Sequence, residues 1–199
     1  MGDQGGGHSR SGLTREALAG AMPRSLIAEG RAERLALDWV ARVDRAVAEG
    51  EPAFPRYPLC AGLRVALFEA RRARRVVRGL EGAEGALGTQ ERGLAQAAAT
   101  RPEANRRRIS RLLVVSADGS ARFYRGVDRL RHRYAARLEA VLVECDEIEL
   151  GGAVFGDGCR ARALMIDHKE AVARFLGVLD ERIGGAGSRE DAASPSTAD

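Results

Sequence analysis

Three short apolar runs in the second half of the chain limit what it can fold into more than any other feature. They are ISRLLVVS (109–116), AVLVEC (140–145) and RARALMID (160–167). Each is short and rich in branched residues, which suits a strand covered on both sides. Between the first two, Phe123, Val127, Leu130, Tyr134 and Leu138 recur at helical spacing. The turn Ala117-Asp118-Gly119-Ser120 precedes that helix, and Ser120 or Asp118 can cap it. A short helix is predicted over Glu147 to Val154, stopped by Phe155-Gly156-Asp157-Gly158. After the third run, Val172, Phe175, Leu176, Leu179 and Ile183 line one face of a closing helix. The order strand, helix, strand, short helix, strand, helix specifies an α/β fold, a three-layer α/β/α sandwich with a small central sheet.

A helical N-terminal segment, 13–55, precedes this layer. In it Leu35, Trp39, Val40, Val43 and Val47 form a helical stripe that ends at Gly50 and Pro52. The three prolines of EPAFPRYPL (51–59) predict an extended connector. A second helix is predicted from Leu63 to Arg78. The five glycines and alanine-rich patch of 79–105 then read as an insertion, helical only around 90–99. The α/β domain accordingly covers 56–183. Residues 1–12 and 184–199 are rich in Gly, Ser and Ala without periodicity and read as disordered tails.

Charge is unevenly spread. The formal net charge is +4, yet Arg56 to Arg111 holds 13 arginines against five glutamates, with no aspartate or lysine. A polyanion would feel that stretch. Lys169 is the one lysine beside 31 arginines. A GC-rich coding sequence accounts for such a bias, and so does a need for guanidinium groups, which bind phosphate bidentately and stack on bases. With 45% hydrophobic residues in 199, the chain can bury a real core. No apolar run approaches the roughly 18 residues of a membrane span. Gly6 stands where a myristoylation motif needs Ser or Thr. Cys60, Cys145 and Cys159 match no zinc spacing and follow no secretory signal, so they read as reduced thiols of a cytoplasmic or nuclear protein.

Catalytic patterns are missing. Asp167-His168 is the best acid–base candidate, and its place at the start of the last helix reads more simply as a helix beginning. The glycines of GGAVFGDG (151–158) lack the spacing and lysine of a phosphate loop and precede a strand rather than a helix. No cofactor is implied, and the chain reads as non-enzymatic.

Five segments, Gly62-Leu63-Arg64, RLLVVSADG (111–119), 124–145, ELGGAVFGDG (149–158) and 160–179, follow one another in a recognisable order. In that order the chain resembles the kink-turn RNA-binding ribosomal proteins and their relatives, over roughly residues 35–183. Within them it is most similar to the branch that binds the SECIS element of selenocysteine insertion, whose preceding helix Trp39, Asp44 and Arg45 echo. The resemblance implies a partner that is structured RNA, a kink-turn or SECIS-like element, together with other ribonucleoprotein or translation components. It implies that Gly62, Leu63 and Arg64 begin an RNA-contacting helix. The family's following glutamate and lysine are absent at Val65, Leu67 and Phe68, so Glu69 and Arg71 stand in for them in a shifted register. It further implies that Gly156, Gly158 and Arg160 face the RNA from a loop, with Arg71, Arg72, Arg74 and Arg75 attracting phosphates. Two other readings stand beside it: a subunit of an RNase P-like or other small ribonucleoprotein, and an α/β interaction or regulatory module without RNA. RNA binding predicts that Gly62, Arg64 and the 156–161 loop share one positively charged edge, and their lying on opposite sides would favour the module without RNA.

Overall fold

The computed structural model describes residues 14–98 and 107–190. In these the chain runs α1 (Arg15–Ala21), α2 (Arg24–Ala28), α3 (Ala32–Ala48), β1 (Arg56–Pro58), α4 (Ala61–Arg72), β2 (Val76–Arg78) and α5 (Leu80–Ala98). It continues as β3 (Arg111–Ser116), α6 (Ala121–Arg133), β4 (Leu138–Glu144), α7 (Glu147–Phe155), β5 (Ala163–Ile166) and α8 (Lys169–Glu190). The strands make one sheet in the order β1-β4-β3-β5-β2. β1, β4 and β3 are parallel, and β5 runs antiparallel to its neighbours β3 and β2. Four strands therefore point one way and β5 the other.

Alternation along the strands divides the core in two, because successive side chains leave opposite faces. Leu112, Val114, Val141, Val143, Leu164 and Ile166 meet α1–α4, α7 and α8 on one face. Leu113, Val115, Leu138, Ala140, Leu142, Ala163 and Met165 meet α5 and α6 on the other. The architecture is an α/β/α sandwich behind a helical N-terminal segment. Its α3 buries Leu35, Ala36, Trp39, Val43 and Ala46. It is fastened to α8 by Asp180, whose carboxylate accepts from Arg31 Nε at 2.6 Å and from Arg34 Nε at 2.8 Å and Nη2 at 2.6 Å. Among the described residues no helix is long and apolar enough to cross a membrane.

Five boundaries differ from the sequence-based expectations, the first being Leu138, expected on the helical stripe that begins at Phe123 but found opening β4 after α6 ends at Arg133. The helix expected over 63–78 ends at Arg72; Arg74 takes a left-handed backbone (φ 57°), and 76–78 become β2 on the edge of β5. The segment expected to be helical only around 90–99 is helical from Leu80 to Ala98, and this α5 buries Ala83 and Leu87 in the second core. The remainder of that expected insertion, 99–106, lies outside the described residues. The proline-rich connector contains β1, which pairs with β4 through Arg56–Pro58. α8 continues past the expected end at 183 to Glu190. Residues 1–12 and 191–199, read as tails, also lie outside the described residues.

Candidate functional site

Because β1, β2, β3 and β4 point the same way, their C-terminal ends share one rim with the start of β5. In open α/β sheets this is where ligands bind. Five segments meet there: Pro58–Cys60 leading into α4, Glu144–Asp146 into α7, Ser116–Ser120 into α6, Arg78–Gly79 into α5, and the 156–162 loop into β5. The caps are polar. The Asp146 carboxylate accepts from the N–H of Ile148 at 2.9 Å and Glu149 at 2.7 Å, and Ser120 Oγ accepts from Phe123 N–H at 3.3 Å. Asp118 joins two of the turns by accepting from Ser116 Oγ at 2.6 Å and from Glu147 N–H at 3.2 Å. Burial works against its charge, but these bonds and the nearby Arg162 guanidinium hold its carboxyl below the usual carboxylate range.

The glycine loop is fixed along its length. Gly156 (φ 97°) and Gly158 (φ 78°) take left-handed conformations open to glycine, and both are exposed. Ala161 N–H then donates to the Glu147 carbonyl at 2.7 Å, which folds the loop back along α7. That return requires Gly151, since a Cβ there would lie 2.7 Å from the Cys159 carbonyl carbon and 2.8 Å from Ala161 N. Beside the loop, Gly79 (φ 78°) opens α5 and donates its N–H to the Ala163 carbonyl at 2.9 Å. Arg78 donates to the Arg160 carbonyl. Arg71 and Arg78 both lie over the Phe155 ring, at 5.5 and 5.3 Å from its centroid.

The residues singled out in the sequence are only partly brought together. α4 lies between α7 and α8, and its sides differ. Leu63 faces the core at 0% exposure, which removes it from any contact surface. Gly62 abuts α8, where a Cβ would meet Val178 at 2.8 Å, so its missing side chain serves helix packing. Glu69 likewise turns to α8 and pairs with Arg174 at 2.5 Å. On the other side Arg64 reaches Glu149, while Glu147 takes Arg160 at 3.3 Å and Arg162 at 3.1 Å. Arg64 and Arg160 thus approach the first turn of α7, each answered by its own glutamate. Arg75 pairs with Glu170 at 3.2 Å. Arg107 is drawn to the buried Glu139, and Arg108 donates to the Met22 carbonyl at 3.4 Å; Arg106 lies outside the described residues. Arg71, Arg72, Arg74 and Arg78 are exposed and make no ion pair among the described residues.

Sequence reasoning missed Gly79 and Arg162. The available signal was a β-branched pair, Val76-Val77, running into a glycine and then into the helical stripe Leu80, Ala83, Leu87. The Asp167-His168 pair is divided in its contacts. Asp167 binds Arg111 and the Gln90 amide, and His168 Nδ1 accepts the Glu170 N–H at 3.3 Å, as a helix-starting residue does. Burial pushes the Cys145 thiol up to about 12, and the three cysteines are free. Among the described residues no cluster of His, Cys, Asp and Glu is arranged to hold a metal.

No protein-family model matches the chain. No curated protein matches it either. Among solved structures it is similar to a protein with unknown function from Bacillus halodurans C, at 19% identity and a TM-score of 0.37, over 61% of this chain and 99% of that one. A likeness at that level assigns neither family nor activity.

Proposed function

We propose that the chain is a non-enzymatic RNA-binding protein that takes a kink-turn-like element, of which a SECIS element is one form, at the rim of its sheet. One observation carries this reading. The 19-residue α5 begins beside the loop that follows α7: Gly79 N–H donates to the Ala163 carbonyl, Arg78 donates to the Arg160 carbonyl, and Arg71 and Arg78, neither of them in an ion pair among the described residues, lie over the Phe155 ring. A bent RNA crowds phosphates and exposes base edges. The first turn of a helix offers it N–H groups and partial positive charge. Gly156 and Gly158 let the backbone approach closely, and the arginines supply bidentate donors. Gly79-Leu80-Glu81 also places a glutamate just after a rim glycine, the residue type that the family resemblance expects and that Val65 replaces in the α4 segment. The RNA-contacting helix is then α5 rather than α4.

R78A/R160A is expected to weaken binding of a kinked RNA about 10-fold or more, at roughly 1 kcal/mol per charge-assisted contact. Binding of a straight duplex should fall much less. R64A, which removes a partner of Glu149, should leave the preference for the kinked form in place. Filter-binding titrations of the three chains decide the matter, and a loss confined to R64A would return the site to α4.

A further inference from the structure

The outer face of α6 carries a second cationic surface, on the opposite side of the sheet from α4. Its inner face is fixed by Val127 and Leu130 in the core, so its outward residues are held on a rigid rod. Arg122, Arg125, Arg129 and Arg133 fall at successive turns of that outward face, and all four are exposed. They extend over roughly 16 Å of helix axis, at about 1.5 Å per residue. Asp128, the one acid of α6, is already taken by Arg131 at 2.9 Å and by His132 Nδ1 at 3.3 Å. Arg133 pairs with Glu84 at 3.1 Å, while Arg122, Arg125 and Arg129 have no acidic partner among the described residues.

This arrangement is unfavourable for a helix left to itself. Like charges one turn apart repel, and cations in a first turn oppose the helix dipole. The first turn of α6 holds no acid to offset Arg122. The stripe is also continuous with the rim. Leu80, at the start of α5, packs against Gly126, where a Cβ would lie 3.3 Å from Leu80 Cδ1, and Arg129 reaches the same spot at 3.9 Å.

We infer that the α6 stripe binds the phosphate backbone of an RNA stem that continues from the element held at the rim. The inference rests on the RNA-binding reading and adds to it where the helical arm lies. Phosphate attraction of this kind is independent of sequence and of the bend, so it acts on a straight duplex too.

The test compares the full chain with R122Q/R125Q/R129Q and R122K/R125K/R129K. Glutamine keeps helix propensity and lysine keeps charge. Circular dichroism and thermal melts establish that the variants are folded. Binding of a straight duplex and of a kinked RNA with a flanking stem is then followed from low to moderate salt. With three phosphate-binding charges removed, the slope of log K against log salt should shrink by about two to three for the glutamine variant on both RNAs. The lysine variant should keep its slope. An unchanged slope in the glutamine variant overturns the stripe while leaving the rim in place. Absence of a kink preference in the unmodified chain refutes the rim reading, and the slope on the straight duplex still decides the stripe. Failure of the unmodified chain to bind either RNA, or its preference for phosphatidylserine vesicles over both, overturns the inference.

Discussion

Gly151→Ala should lower stability by about 3 kcal/mol and should disable the rim at the same time. Overpacking a core typically costs ~1–3 kcal/mol, and the upper end applies here because the obstacle is backbone. The added Cβ would meet the carbonyl of Cys159 and the N–H of Ala161, neither of which can rotate away. Either α7 separates from the 156–162 loop or the Ala161 to Glu147 hydrogen bond breaks. Both outcomes displace Gly156, Gly158 and Arg160, so kinked-RNA affinity should fall with stability. Gly152→Ala is the matched control. Nothing lies within 4 Å of a Cβ there, and alanine favours a helix over glycine by roughly 0.5–1 kcal/mol. Urea unfolding of both variants separates the two effects. Equal stabilities for them would show that the loop does not depend on its approach to α7.

Asp180→Ala is the second large effect, also about 3 kcal/mol, and it acts on the N-terminal helices rather than the rim. The carboxylate is 1% exposed and binds two guanidinium groups, from Arg31 and Arg34. Removing one partner of such a group leaves the others without their counter-charge, which typically costs ~3–5 kcal/mol when all are buried. Arg31 and Arg34 remain partly in water, which places the effect at the lower end. Burial opposes the charge on Asp180, but hydrogen bonds from Arg34 and Arg31 outweigh it and hold the carboxyl below its ordinary value. A group whose pKa is depressed on folding stabilises the fold above its unfolded pKa, near about 3.9 for aspartate. That stability is lost as pH falls through the lower, folded value. The gap between the unmodified chain and Asp180→Asn should therefore be full at neutral pH and narrow below roughly pH 4. A gap of constant size across that range would mean that Asp180 acts through packing and not through charge.

The central strands and the helices between them were legible because burial on both faces leaves a signature. β3, β4 and β5 hold the apolar runs 112–115, 140–143 and 163–166, and α6 and α8 show apolar stripes at helical spacing. The edges were not legible. β1 and β2 are three residues each, one containing Pro58 and the other joined to an arginine run, so neither gives a period to read. α5 was hidden by its glycines, which sequence reasoning takes as breaks. Two of them instead meet packed neighbours. A Cβ on Gly82 would lie 3.0 Å from Val77, and one on Gly88 would lie 3.7 Å from the Tyr134 hydroxyl. At Gly82 the helix needs a small residue to lie close to β2, and that need is tertiary.

The loop after α7 was legible in the sequence, and the packing of α4 was not. Gly156, Gly158 and Arg160 are exposed, as expected of a loop after a short helix. Gly62-Leu63-Arg64 looked like a contact motif because a glycine before an amphipathic helix has the same appearance whether it faces a ligand or another helix. The structure adds the position of α8: Gly62 is exposed, and a Cβ on it would lie 2.8 Å from Val178. In the same way, the arginines of 56–111 could not be divided by sequence into paired and unpaired groups. Arg64, Arg75 and Arg107 have acidic partners distant in sequence, whereas Arg71, Arg72, Arg74 and Arg78 have none among the described residues.

The most direct test of RNA recognition at the rim is a filter-binding titration near about 150 mM salt, where weak surface attraction is screened. It should compare a kink-turn or SECIS-type stem-loop with a straight duplex of equal length. Clearly tighter binding of the bent RNA is expected, with the difference persisting as salt is raised. Equal binding of the two forms, or binding of neither, would contradict recognition at the rim.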